Sequence, residues 1–223
     1  MTSHYDSGYY NDKIRMPEAA YAILSRARAR KMQPYIRPSD RVFEFGVGSG
    51  INLASLICAA RDGFEINRAA HAVAREHGVT LVESLDGIDG IYDVVICHHV
   101  LEHLTSPAEC LANLRRLLRA GGTLLLFVPY DGNRRHYLKH IPTDADYHLY
   151  SWTPHTLGNL VIESGFDLQS ATLGMFAYDR ISARMASALH IGDVGFGIVR
   201  RCAQLLRRER EICVIAKRPD PRK

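Results

Sequence analysis

The segment Arg41-Val42-Phe43-Glu44-Phe45-Gly46-Val47-Gly48-Ser49-Gly50 passes from an apolar, strand-like run straight into three glycines at alternate positions. Glycine tolerates positive φ and presents no Cβ to an approaching ligand, so glycines this dense shape a turn around something bulky. A strand ending in such a turn opens a Rossmann-like α/β domain, in which nucleosides bind at the carboxyl ends of the strands. A dinucleotide fingerprint reads Gly-x-Gly-x-x-Gly, whereas the spacing here is Gly-x-Gly-x-Gly, with Ile51 where the third small residue belongs. That spacing disfavours NAD. Glu44, two residues before the first glycine, sits badly beside a pyrophosphate and well beside the ammonium of an amino-acid moiety. S-adenosylmethionine carries both a nucleoside and such an ammonium.

Downstream, apolar runs alternate with segments of helical period, the order of a doubly wound sheet. Strands are predicted at Arg41 to Gly46, Ala59 to Glu65, Val79 to Glu83, Tyr92 to Cys97, Gly122 to Val128, Phe166 to Leu173 and Glu211 to Lys217. Only Ile51 to Phe64 separates Gly50 from Glu65, so the first crossover helix must be brief. The helix from Ser106 to Ala120 has the strongest signals: Ser106 as N-cap, Pro107 at its first position, Glu109 to complete a capping box, and Gly121-Gly122 to end it. Further helices are expected at Met16 to Met32 and from Thr153-Pro154 to Gly165. The 223 residues, 47% hydrophobic and 23% charged, suit one domain, with residues 1–40 as a helical cap and 179–210 as a helical insertion before the last strand. The start of the chain lacks the basic and apolar regions of a signal peptide, and the five cysteines are odd in number without Cys-x-x-Cys spacing, which predicts a cytoplasmic protein with reduced thiols.

Four motifs then fall on the elements in order: Val42 to Gly50; Gly63-Phe64-Glu65-Ile66; Tyr92-Asp93-Val94-Val95-Ile96-Cys97-His98-His99-Val100-Leu101-Glu102-His103; and Leu117-Leu118-Arg119-Ala120-Gly121-Gly122 leading into Thr123 to Pro129. Together they resemble the class I S-adenosylmethionine-dependent methyltransferases, in particular the small-molecule branch that includes the quinone-biosynthesis O-methyltransferases. The resemblance implies an α/β, Rossmann-like, mostly parallel seven-stranded sheet of order 3-2-1-4-5-7-6 with helices on both faces and the last strand antiparallel. It also implies a donor site over the carboxyl ends of the first four strands. There Glu44, Gly46, Val47, Gly48 and Gly50 wrap the methionine end, and Glu65 with Ile66 meets the ribose, its carboxylate suited to accept both hydroxyls. By the same analogy Ser84, Leu85 and Asp86 bracket the adenine, and His98 and His99 lie beside the methyl.

Methyl transfer to a hydroxyl needs alignment and removal of one proton, for which histidine is the natural base near neutral pH. His148, in the His148-Leu149-Tyr150-Ser151-Trp152-Thr153-Pro154 segment that often borders the active site in the resembled family, is the first candidate, and His103 the second. His99 to His103 also spells His-x-x-Glu-His, a zinc-peptidase pattern. Its place at a Rossmann strand end argues against that reading, and His99 stands where related enzymes with a divalent ion carry Glu, so no metal is assigned. No Asn-Pro-Pro-Tyr follows the fourth strand, which favours oxygen over a planar amine as acceptor. Arg134, Arg135, His136, Tyr137, Lys139, His140, Tyr147 and Tyr150 are candidates to cap an anionic or sugar-like acceptor, with Tyr9, Tyr10 and Arg15 as a lid.

The expected partner is therefore a small molecule. The net charge of +4 is mild but gathers at Arg200, Arg201, Arg207, Arg208 and Arg210, beside an apolar stripe of Ile181, Met185, Leu189, Ile198, Cys202, Leu205 and Leu206. Such a stripe suits weak peripheral contact with anionic lipid. Two rivals remain open at this point: an RNA methyltransferase using the arginines, and a catalytically silent module that only binds the nucleoside.

Overall fold

The computed structural model describes residues 16–132, 140, 147–175, 178–206 and 210–222. Tyr9, Tyr10, Arg15, Arg134, Arg135, His136, Tyr137, Lys139, Arg207 and Arg208 lie outside them. In chain order the elements are α1 (Glu18–Met32), β1 (Arg41–Phe45), β2 (Ala60–Phe64), α2 (Arg68–Glu76), β3 (Thr80–Leu81), β4 (Tyr92–His98), α3 (Pro107–Leu117), β5 (Leu118–Tyr130), α4 (Pro154–Glu163), β6 (Asp167–Met175), α5 (Asp179–Ala188), α6 (Gly192–Leu206) and β7 (Arg210–Lys217). The seven strands form one sheet of order β3-β2-β1-β4-β5-β7-β6. β7 runs antiparallel to both β5 and β6, while β1 with β2, β2 with β3 and β4 with β5 are parallel. The central strands carry near-continuous apolar runs, as a sheet covered on both faces requires: Val94, Val95, Ile96 and Cys97 in β4 and Leu124 to Val128 in β5 are all but inaccessible.

Two compact units divide the chain, Met1–Asp86 with Ala177–Arg208 and Gly87–Phe176 with Glu209–Lys223. In the first, α1 packs on the α5–α6 pair through Ala20, Ile23, Leu24, Ala183, Ala186 and Phe196, and Ile51 joins that cluster from the loop after β1. Buried Asp179 ties the same three helices, at 3.5 Å from Arg28 Nε of α1 and 2.7 Å from Arg200 Nε of α6. In the second, β5 is the hub, paired along much of its length with β4 and β7.

Three expectations need correction. No helix forms after Gly50: residues 51–55 make a turn, in which Leu53 N and Ala54 N donate to Gly50 O. Arg61 then donates to Leu53 O at 3.1 Å and to Leu56 O at 2.5 Å, occupying carbonyls that a helix would use, and Asn52 turns inward. Secondly, the Ser106 side chain makes no cap bond, so the capping box with Glu109 is absent; the box that does form is at Thr153–Thr156, opening α4. Thirdly, α3 stops at Leu117 rather than at the glycines. Arg218 Nη1 accounts for this, donating to Arg116 O at 3.1 Å and Leu118 O at 2.5 Å in place of a glycine cap. Gly121 and Gly122 instead sit in a bulge of β5, where the pairing steps from Tyr92–Leu118 to Val94–Thr123. Among the described residues no helix is long and apolar enough to cross a membrane.

Candidate functional site

The glycine turn is held from several sides. Gly46, Gly48 and Gly50 all have positive φ, at 74°, 54° and 79°. Gly50 is pinned by packing: a Cβ there would stand 2.8 Å from Val79 Cγ2. Gly48 differs, since a Cβ there would meet no atom of the described residues within 4 Å. Gly48 N donates to Glu65 Oε2 at 2.8 Å, and the other Glu65 oxygen accepts from Asn67 N at 2.8 Å, just before α2. Glu65 thus spans the space from the turn to the N-terminus of α2. Val47 faces inward, 3% exposed, against Gly63.

Beneath the turn, Glu44 is wholly buried, and Asn52 Nδ2 donates to its Oε1 at 2.5 Å. Its Oε2 has no hydrogen-bond partner among the described residues. Burial pushes the Glu44 carboxyl up to about 8, against the Asn52 hydrogen bond and the Arg28 charge, which pull it down, and with the Glu65 charge, which adds to the rise. Tyr21 of α1 donates from its hydroxyl to Ser49 O at 2.8 Å and stacks on His77 with ring centres 3.8 Å apart. Burial raises the Tyr21 phenol well above its usual range, so it stays a donor. Sequence reasoning missed both Tyr21 and Asn52; a tyrosine in an otherwise Ala- and Arg-rich helix was the available signal for the first.

The other donor-side candidates are outward. Ile66 is 66% exposed. Ser84 and Asp86 form an exposed turn, in which Ser84 Oγ donates to Asp86 Oδ2 at 2.8 Å and accepts from Asp86 N at 3.0 Å, with half-buried Leu85 between them.

In the second unit four of the histidines form two pairs. His98 and His99 lie with their rings stacked, centres 4.4 Å apart, against Glu211 of β7. His103 and His148 meet edge to face at 5.1 Å, near buried Glu102. His148 Nδ1 lies 3.1 Å from Oδ2 of Asp131, a residue at the end of β5 that is 5% exposed. The segment around His148 is fastened by Leu149 N, which donates to Glu102 O at 2.8 Å, and by Tyr150, whose hydroxyl donates to Thr105 O at 3.1 Å and whose ring stacks on Trp152. The two candidate histidines therefore come together, and Asp131, not singled out in the sequence, places a carboxylate against His148. His140 is exposed.

Comparison with known proteins decides the family. The family described as "Methyltransferase domain" matches residues 15–171, more than half of the chain. The chain belongs to this methyltransferase family. The methyltransferase is similar to the ubiquinone biosynthesis O-methyltransferase of Burkholderia pseudomallei, 28% identical over 173 residues, which cover 67% of this chain and 73% of the relative. In fold it is similar to a putative methyltransferase of Bacillus halodurans, with a TM-score of 0.61 at 17% identity, covering 86% and 98% of the two chains. It is also similar in fold to the phosphoethanolamine N-methyltransferase 2 of Haemonchus contortus in complex with S-adenosylhomocysteine, with a TM-score of 0.64 at 14% identity, covering 99% and 61%. The protein is an S-adenosylmethionine-dependent methyltransferase, and S-adenosylmethionine is its methyl donor.

Proposed function

We propose that this methyltransferase moves a methyl group to a hydroxyl oxygen of a small acceptor, phenolic or sugar-like and carried on a lipid. The pair formed by buried Asp131 and half-buried His148 is the observation that carries the reading. With Nδ1–H donating to Asp131, the imidazole lone pair resides on Nε2, the nitrogen that takes the acceptor's hydroxyl proton. Asp131 fixes that tautomer and stabilises the imidazolium that results. The donor supplies an electrophilic methyl carbon on a sulfonium. The similarity to an enzyme named for ubiquinone biosynthesis O-methylation supports oxygen as the nucleophile. The lipid carrier is supported by α5 and α6, on which Ile181, Met185, Leu189, Val194 and Ile198 are exposed beside exposed Arg180, Arg184 and Arg201. An RNA acceptor is less well supported, because Arg200 is committed to Asp179.

On the donor side, Gly46, Gly48 and Gly50 would admit the methionine end, Glu65 the ribose hydroxyls, and Glu44 the ammonium. The buried, unpartnered Glu44 Oε2 fits such a cation. Without the donor, Glu44 holds its proton up to about pH 8, and pairing with an ammonium requires it to ionise. Donor affinity is therefore expected to rise with pH from 6 to 8, by up to about tenfold per unit, with a proton released on binding. Calorimetry in buffers of different ionisation enthalpy measures this release. A Glu44→Gln variant with the same pH slope as the wild type would remove Glu44 from the site.

The acceptor assignment is tested by incubating the protein with donor labelled in its methyl group and fractionated cell extract. The label is expected as a base-stable methyl ether in the lipid fraction. Label in RNA would move the reading to nucleic acid, and donor binding without transfer to any fraction would leave only a binding module.

A further inference from the structure

The amides at the start of the glycine turn are tied to the end of β2 and the residue after it. Gly46 N and Val47 N both donate to Phe64 O, at 2.8 and 3.1 Å, and Gly48 N donates to Glu65 Oε2 at 2.8 Å. The far side of the turn is tied differently. Gly50 N donates to Val47 O at 2.9 Å, within the turn, and the carbonyl of the same peptide, Ser49 O, accepts from the Tyr21 hydroxyl of α1 at 2.8 Å. Rotation of that peptide turns on ψ of Ser49 and φ of Gly50, and glycine accepts either sign of φ. Tyr21 therefore acts from outside the sheet on a joint whose own backbone offers little resistance.

Tyr21 is itself held in place. Its ring is 6% exposed and stacks on His77 with planes inclined by 16°. His77 Nδ1 lies 2.7 Å from Val73 O, and since a carbonyl only accepts, the imidazole proton is on Nδ1 and the ring is fixed to the last turn of α2. Val79, two residues beyond His77, closes on Gly50, so one short loop backs both the tyrosine ring and the glycine on which it acts. α1 is anchored in turn by the helices inserted between β6 and β7. Ala20 and Leu24, next to Tyr21 on the helix, pack with Ala183, Ala186 and Phe196, and Asp193 stands 2.6 Å from Arg26 and 3.0 Å from Arg30.

We propose that Tyr21 is a positioning residue for the methyl donor, its hydroxyl holding the glycine turn, before S-adenosylmethionine arrives, in the conformation that receives it. Phenylalanine would fill the same place on α1 and keep the stack on His77, so the bond to Ser49 is what the hydroxyl adds. A turn built on three glycines has much freedom to lose, and a ligand that binds one of several conformations binds more weakly in proportion to the fraction of molecules that hold it. By fixing the Ser49–Gly50 peptide in advance, Tyr21 raises that fraction. Through α1 it also links the inserted helices α5 and α6 to donor binding.

The inference rests on the donor lying at the glycine turn, which Gly48→Arg tests by itself. Tyr21→Phe is compared with Val161→Ala, which opens a small space in the core of the second unit. Both variants are expected to melt below the wild type, but only Tyr21→Phe should weaken binding of S-adenosylmethionine and S-adenosylhomocysteine, by about tenfold in calorimetry. The Gly50 amide reports on the turn directly, since it is bonded to Val47 O. In the free protein its hydrogen exchange should be about tenfold faster in Tyr21→Phe than in Val161→Ala, and saturating S-adenosylhomocysteine should remove the difference. Wild-type donor affinity in Tyr21→Phe, an equal loss in Val161→Ala, or equal Gly50 exchange in the two would each overturn the role of Tyr21. If Gly48→Arg keeps wild-type affinity, the donor is not at the turn and both readings fall; if Gly48→Arg loses the donor and Tyr21→Phe retains it, the role of Tyr21 alone falls.

Discussion

Gly48→Arg is expected to weaken binding of S-adenosylmethionine at least 100-fold, a loss of about 2.7 kcal/mol or more, while the protein still folds. The separation of the two effects follows from the space around this residue. No atom of the described residues stands within 4 Å of a Cβ at Gly48, so the side chain meets none of their core, and the strain of an L-residue at φ of 54° costs on the order of 1–2 kcal/mol, a few degrees in Tm. The arginine instead fills the open side of the turn and brings a cation to the place assigned to a sulfonium and an ammonium. Gly50 serves as the contrasting position. Its missing Cβ would press on Val79 at 2.8 Å under a φ of 79°, so Gly50→Ala acts on folding before it acts on the ligand. Calorimetry and thermal melts on the two variants separate these outcomes. A Gly48→Arg protein that binds the donor with wild-type affinity would place the donor elsewhere.

The parts of this molecule legible in its sequence are those fixed by local rules. The spacing Gly46, Gly48, Gly50 announces three positive φ values, and the structure has all three. The alternation of apolar runs with helical periods yields seven strands, and the order β3-β2-β1-β4-β5-β7-β6 agrees with the one implied by the family resemblance. The errors arise where a distant side chain overrules a local signal. Arg218, a hundred residues beyond Leu118, takes over the C-terminal cap of α3 and leaves Gly121-Gly122 for a bulge. Arg61 and the Glu44–Asn52 contact reduce the crossover after Gly50 to a turn. The same limit governs the site. Neither Asp131 with His148 nor Glu211 with His98 and His99 has a sequence spacing that reveals it, since β5 and β7 bring these carboxylates in from far along the chain.

His148→Ala is the second large effect, expected to lower kcat by about 10²–10⁴-fold while donor affinity stays within roughly twofold. Removal of a base alters the transition state alone, so the loss should fall on kcat rather than on donor Kd. Asp131→Asn probes the pair differently. The amide preserves shape but can donate to Nδ1, which would place the imidazole proton on Nε2, where the lone pair is needed. Its rate should therefore approach that of His148→Ala, and the double variant should be little slower than either single one, because residues acting as a unit do not add. His103 lies against His148 with ring centres 5.1 Å apart, which makes it the competing base. Single-turnover rates for His103→Ala and His148→Ala decide between them: near-normal methyl transfer by the His148 variant, with loss in the His103 variant, would hand the proton to His103 and reduce Asp131 to holding the segment in place.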